Sequence, residues 1–344
     1  LDFSLFSHKV TGSFNYFHRK QSDLLGSYSV SVPPNLFSTI YANVGTLRNT
    51  GFELDITVNA VRTKDFTYSF TLVGATNNNK FVSFSNDVYK GQKYYSTCNM
   101  ANPNNPGYLQ RIEEGERIGN YFTYRYAGVD KKGDWLIYDK KGNVIPVAQG
   151  TEEDKAVTGN GLPKFTGSMT HNFTYKNFDL NILLQGAAGY VIGYANDDVF
   201  GYGSKTNPTL MKKYMDRWHT ANVTDDPYNP ATQWVSGKFP ALRRDFVGTQ
   251  DNGNSWGVGA IPFWNPNATY LRLKSLELGY TLPKNLTRKV GISDLRVFVN
   301  GFNLLTFCNS LLKDADPERE ERDWGASLAY PLMKSYNIGL NINF

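Results

Sequence analysis

The chain has 344 residues, a net charge of +5, four histidines, two cysteines and a mean hydropathy of −0.44. No apolar run reaches the ~18 residues that a membrane-crossing helix needs, the basic residues are too scattered for a nucleic-acid footprint, and His8, His18, His171 and His219 show no HExxH or Cys/His spacing for a metal. The abundance of Gly, Tyr and Phe (31, 22 and 22) favours β-structure.

In chain order, alternating segments of about ten residues recur, the length a tilted strand needs to cross a bilayer core. They fall at 1 to 6, 9 to 19, 51 to 61, 66 to 78, 164 to 176, 178 to 194, 268 to 281, 294 to 307 and 333 to 344. Successive side chains point to opposite faces. In the second segment Val10, Gly12, Phe14 and Tyr16 share a face, and in the third Phe52, Leu54, Ile56, Val58 and Ala60 do, with Glu53, Asp55, Thr57 and Asn59 opposite. The fourth carries Phe66, Tyr68, Phe70 and Leu72 on one side. The cleanest pair is 164 to 176, with Phe165, Met169, His171, Phe173 and Tyr175 in phase, followed through a tight Lys176-Asn177 turn by Phe178, Leu180, Ile182 and Leu184, with Asp179, Asn181 and Gln185 opposite. In the seventh, Leu271 and Leu273 are out of phase with Leu276, Leu278 and Tyr280, which predicts a β-bulge near Lys274-Ser275. The last segment puts Tyr336, Ile338, Leu340, Ile342 and Phe344 on one face and Asn337, Gly339, Asn341 and Asn343 on the other. It has the form of an outer-membrane barrel-assembly signal.

Short links at 7 to 9, 62 to 65, 176 to 177 and 282 to 293 alternate with long ones at 20 to 49, 79 to 163, 195 to 267 and 308 to 332. Antiparallel strands send alternate connections to opposite ends, so all long loops gather on one side. That is the bacterial outer-membrane arrangement, with short periplasmic turns and long extracellular loops. The fold expected is all-β, a transmembrane antiparallel β-barrel of which about nine strands are present. Nine is odd, whereas single-chain bacterial barrels are typically even and must close. With no signal peptide ahead of Leu1, the sequence is expected to be the C-terminal portion of a longer chain, its earlier strands lying upstream.

Candidate binding rings in the long loops are Tyr121, Tyr124, Trp135, Trp218, Trp234, Trp256 and Trp264, which either stack on ligand or pack the loops together. Asp130-Lys-Lys-Gly-Asp134 and Asp139-Lys-Lys-Gly-Asn143 bracket Trp135-Leu-Ile-Tyr138; lysines stand where calcium ligands belong, so two turns around a short strand are predicted. The run 314 to 323 is rich in both charges and predicts a solvated outer loop. Phe66, Tyr68, Tyr175, Phe178, Tyr280 and Phe344 are placed for a periplasmic aromatic girdle. Cys98 and Cys308 lie in different loops, which leaves a disulfide and two free thiols both open. No nucleophile elbow or triad pattern points to an enzyme, and no cofactor is implied.

Several stretches resemble, in order, the SusC/RagA family of TonB-linked outer-membrane proteins: Asn43-Val-Gly-Thr-Leu-Arg-Asn-Thr-Gly51-Phe-Glu-Leu-Asp55; Glu114-Gly-Glu-Arg-Ile-Gly119-Asn-Tyr-Phe-Thr-Tyr-Arg-Tyr126; Gly159-Asn-Gly-Leu-Pro163; Phe178-Asp-Leu-Asn-Ile-Leu-Leu-Gln-Gly186; Tyr270-Leu-Arg-Leu-Lys-Ser-Leu-Glu-Leu-Gly-Tyr-Thr-Leu-Pro283; and Leu295-Arg-Val-Phe-Val-Asn-Gly-Phe-Asn303. The resemblance implies a barrel of about 22 strands around an N-terminal plug. It also implies energisation through TonB and a SusD-like surface lipoprotein lid that captures glycans or peptides, with a pair of barrel-lid units as the assembly. The plug and TonB-contacting segment are absent from residues 1 to 344. Two other readings compete, a soluble or surface-attached glycan-binding β-protein and a passive porin. The first requires a second protein layer over the apolar faces.

Overall fold

The computed structural model describes residues 1–84, 94–99, 108–192, 212–239, 241, 265–313, 316–318 and 332–344. In chain order the strands are β1 (Asp2–Leu5), β2 (Val10–Ser29), β3 (Thr39–Arg62), β4 (Phe66–Thr76), β5 (Asn78–Ser83), β6 (Tyr94–Asn99), β7 (Tyr108–Glu113), β8 (Asn120–Val129), β9 (Trp135–Tyr138), β10 (Val144–Pro146), β11 (Lys155–Asn160), β12 (Phe165–Tyr175), β13 (Phe178–Ala188), β14 (His219–Thr220), β15 (Trp234–Val235), β16 (Tyr270–Thr281), β17 (Asp294–Phe307) and β18 (Ser335–Asn343). Nine of them form one antiparallel meander in the order β1-β2-β3-β4-β12-β13-β16-β17-β18. These are the nine segments read from the alternation. The short turns fall at one end and the long connections at the other.

Register turns that order into a membrane wall. One row of directly opposed residues, Leu5, Val10, Val58, Phe70, His171, Ile182, Leu276, Gly301 and Tyr336, crosses all nine strands. The next row on the other face is Asn59, Ser69, Asn172, Asn181, Glu277, Asn300 and Asn337. One face is fit for hydrocarbon and the other for water, and a slip of one residue would exchange them. His171, the one imidazole in the apolar row, satisfies a ring nitrogen against the Tyr68 hydroxyl at 3.0 Å. No second sheet covers the apolar face among the described residues. Leu278 is 45 % exposed, Val299 47 % and Ile338 77 %, which removes the soluble-sandwich reading.

The short-turn end gathers the aromatic girdle. Tyr175 pairs with both Phe66 and Phe178, Phe178 pairs with Tyr280, and the rings of Tyr68 and Phe173 stack at 4.5 Å. The Lys176-Asn177 hairpin turn holds Lys176 at φ 53°. The predicted bulge is present at Lys274, where the ladder steps from Leu273 to Ser275 against both neighbours. It keeps Leu271 and Leu273 on the apolar face despite their phase and turns Arg272 and Lys274 inward.

Two expectations are corrected. The segment 20 to 49 is not a loose link: β2 runs on to Ser29 and β3 returns from Thr39, paired through two register shifts on either side of Leu24, leaving a connection of residues 30–38. Beyond the bilayer both faces are wet, so the apolar alternation stops while backbone pairing continues. The segment 79 to 163 likewise holds β5 to β11, of which β6 to β11 form a separate sheet and β5 adds to β3. At Gly51 β3 passes from β4 to β5; an added Cβ there would lie 2.0 Å from the Thr76 carbonyl oxygen and 2.6 Å from the Phe17 ring, so only glycine fits this close approach.

Candidate functional site on the inner wall and the cap

The polar face carries a hydrogen-bonded belt. Arg296 on β17 donates from Nε to Asp179 Oδ1 at 2.9 Å and from Nη2 to both Asp179 and, at 2.8 Å, Glu277. Asn300 donates to Glu277 Oε2 at 3.2 Å, Asn337 to Asn300 at 2.9 Å and Asn181 to Asn172 at 2.5 Å, so the belt runs from β18 to β12. These groups keep roughly a quarter of their surface in water, so screening leaves the ion pairs worth little individually. Their consequence is a fixed hydrophilic lining.

Nearer the long connections, the bulge presents Arg272, 1 % exposed, to the segment after β17. Its Nη2 donates to Asp316 Oδ1 at 2.5 Å, Nη1 to Glu318 Oε2 at 2.8 Å and Nε to Thr306 at 3.1 Å. Lys274 and Gln185 add bonds to Glu318, and the Tyr190 hydroxyl donates to the Pro317 carbonyl at 2.7 Å. This corrects the reading of solvated outer loop for 316–318, the described part of 314 to 323: Asp316 is buried, because a buried guanidinium needs its counter-charges. Sequence pattern alone carried one hint, the bulge that aims Arg272 inward.

The long connections share one hydrophobic core. Tyr124, Trp135, Ile137 and Val147 meet Tyr190, Tyr214 and Phe239 from the 189–269 connection, Leu311 and Leu312 from the last, and Ala187 and Tyr270 from the wall. β9 alternates into this core, so Trp135 and Ile137 are both fully buried. The two flanking turns are formed as predicted: Asp130 accepts from the backbone of Lys132 and Asp134, and Asp139 from that of Asn143. Those carboxylate oxygens serve the turns.

The candidate rings therefore divide. Tyr124 and Trp135 are 5 % and 0 % exposed and belong to this shared core, and Tyr121 on β8 is likewise buried at 3 %. Trp218 and Trp234 are half-buried, with Trp218 packed over Gly133 and Trp234 in the β14–β15 ladder. Trp256 and Trp264 lie outside the described residues. Cys98 falls in β6, and Cys308 after β17 is a free thiol whose pKa is raised by burial and by Asp316.

Burial, reinforced by Glu152 and Asp154, pushes the Tyr124 phenol up to about 12. A phenol that ionises near 10 when unfolded and near 12 when folded costs stability as pH rises between those values, about 2–3 kcal/mol across the interval. The cap is expected to loosen above pH 10, read as tyrosinate absorbance at 295 nm together with tryptophan emission, and Tyr124→Phe to reduce that alkaline step without abolishing it, because burial also raises the Tyr190 phenol of the same core. An unchanged titration in the variant would assign the step elsewhere. Asp154, accepting from Thr151 and the Lys140 backbone, is held below the usual carboxylate range.

No protein-family model matches the chain. It is 28 % identical over 377 aligned residues to TonB-dependent receptor P3 of Formosa agariphila, and 24 % identical over 351 to TonB-dependent receptor SusC of Bacteroides thetaiotaomicron. In each case all of this chain aligns with 33 % and 31 % of the relative, so it spans about a third of the curated proteins it matches. Among solved structures, the RagAB peptide transporter superposes with a TM-score of 0.71 at 22 % identity, over 100 % of this chain and 34 % of that one.

Proposed function

From the premise that this chain is a SusC/RagA-like TonB-dependent receptor segment, part of an outer-membrane β-barrel, we propose that it forms wall and mouth of an active nutrient importer. The whole protein would close about 22 strands around a plug, draw energy through TonB, and take oligosaccharides or peptides from a SusD-like lipoprotein lid seated on the cap. The residues 1 to 344 are its C-terminal barrel portion. Its chemistry is reversible binding, with no covalent step.

The observation that carries this reading is the meander with one apolar face, one polar face and every long connection at one end, in a chain aligning throughout with TonB-dependent receptors. Of the candidate rings, Trp218, Trp234, Trp256 and Trp264 are assigned to substrate or lid, and Tyr121, Tyr124 and Trp135 to supporting them. A porin would share the wall but not the dependence on energy. Deleting the gene in its bacterium is expected to abolish uptake of a fluorescently labelled oligosaccharide or peptide, and depleting TonB to abolish it equally. Uptake that survives TonB depletion would favour the porin.

A further inference from the structure

On the polar face at the long-connection end, a cavity of about 250 Å³ opens between β2, β3, β4 and β12. Its residues share the wet side by register: Phe17 opposes Gly51, Glu53 opposes both Asn15 and Ala75, and Ala75 opposes Thr166. The Phe17 ring lies against Gly51, whose missing side chain lets it approach the wall. Beside it Glu53 is exposed, with no hydrogen-bond or ionic partner among the described residues. Asn79 lines the same cavity and opposes Asn49; the side-chain oxygens of both are buried without a partner. At the rim Arg117 donates from Nη2 to the carbonyls of Asn77 and Leu162, both cavity residues, and its Nε and Nη1 are also buried and unpartnered. Such groups are uncommon in a folded wall, where nearly all buried polar atoms are satisfied.

An apolar ring, a carboxylate that accepts and the asparagines Asn77 and Asn79 around one small cavity match what a sugar ring offers: a hydrophobic C–H face flanked by hydroxyls that both donate and accept. The volume suits a single ring rather than a folded peptide side. We propose that this cavity is a monosaccharide subsite for one ring of a neutral oligosaccharide, set against Phe17 with its hydroxyls bonded to Glu53. The proposal rests on the importer reading and locates where on the inner wall selection occurs. A peptide would use the carboxylate only for a cationic residue.

The test uses the full-length receptor with its lid partner, measured by calorimetry against malto-, xylo- and inulin-type oligosaccharides and against a casein digest. Phe17→Leu keeps the bulk over Gly51 and removes the aromatic face; it should weaken the oligosaccharide that binds by about fivefold to tenfold. Glu53→Gln keeps the shape and removes the charge; it should weaken binding by about tenfold. Heat-modifiable migration on gels confirms that each variant is a folded barrel. Wild-type binding with both variants within twofold overturns the subsite and leaves the importer standing. Binding of the casein digest alone overturns the sugar assignment. Absence of TonB-dependent uptake of any probe by cells overturns the importer reading, and the subsite falls with it.

Discussion

Ile182→Lys is expected to prevent assembly in the outer membrane, whereas Asn181→Lys, one position away, is expected to assemble normally. Ile182 sits mid-strand in β13, between His171 and Leu276 on the apolar row. An ammonium at that depth costs roughly 2–4 kcal/mol in hydrocarbon, and it would be borne on a wall whose strands insert together. Asn181 faces the other way, directly opposite Glu277, where a lysine meets water and an acid. Outer-membrane fractionation with heat-modifiable gel migration separates the two, and equal tolerance would overturn the assignment of the faces.

Arg272→Met should release the segment 316–318 from the wall. The substitution fills the space but leaves Asp316 and Glu318 facing each other with Lys274 alone to balance them, and stranding buried charge costs about 3–5 kcal/mol. Because Lys274 remains and Glu318 is partly exposed, the lower end is expected. Limited proteolysis should cut near 316–318 in the variant and not in the wild type. Adding Asp316→Asn and Glu318→Gln should restore protection, since the penalty lies in uncompensated charge rather than in a lost contact. A protease pattern unchanged by Arg272→Met would mean that the hydrophobic core of the cap holds this segment unaided.

The membrane-crossing part of the fold was written in the residues because lipid on one side and water on the other impose a period of two. All nine wall strands, the Lys176-Asn177 turn and the bulge at Lys274 could be found that way. The long arms of β2 and β3 could not, since past the bilayer Arg19, Lys20 and Gln21 gain nothing by alternating, although their backbones still pair with Asn49, Arg48 and Leu47. Trp135 illustrates the limit for the site. An aromatic residue in a loop reads the same whether it greets a ligand or fills a core. The spacing of Trp135 and Ile137 on a four-residue strand held the signal, because a shared face with two large apolar groups is a buried one. For Arg272 the bulge gave its inward direction but not its partners, which lie over forty positions downstream.

The core of the cap joins residues from 124 to 312, drawn from three separate connections and from the wall beneath them. It follows that this core is complete only when Tyr124 and Leu312, separated by four wall strands' worth of chain, are both in place, so a defect in any one connection is felt by the other two.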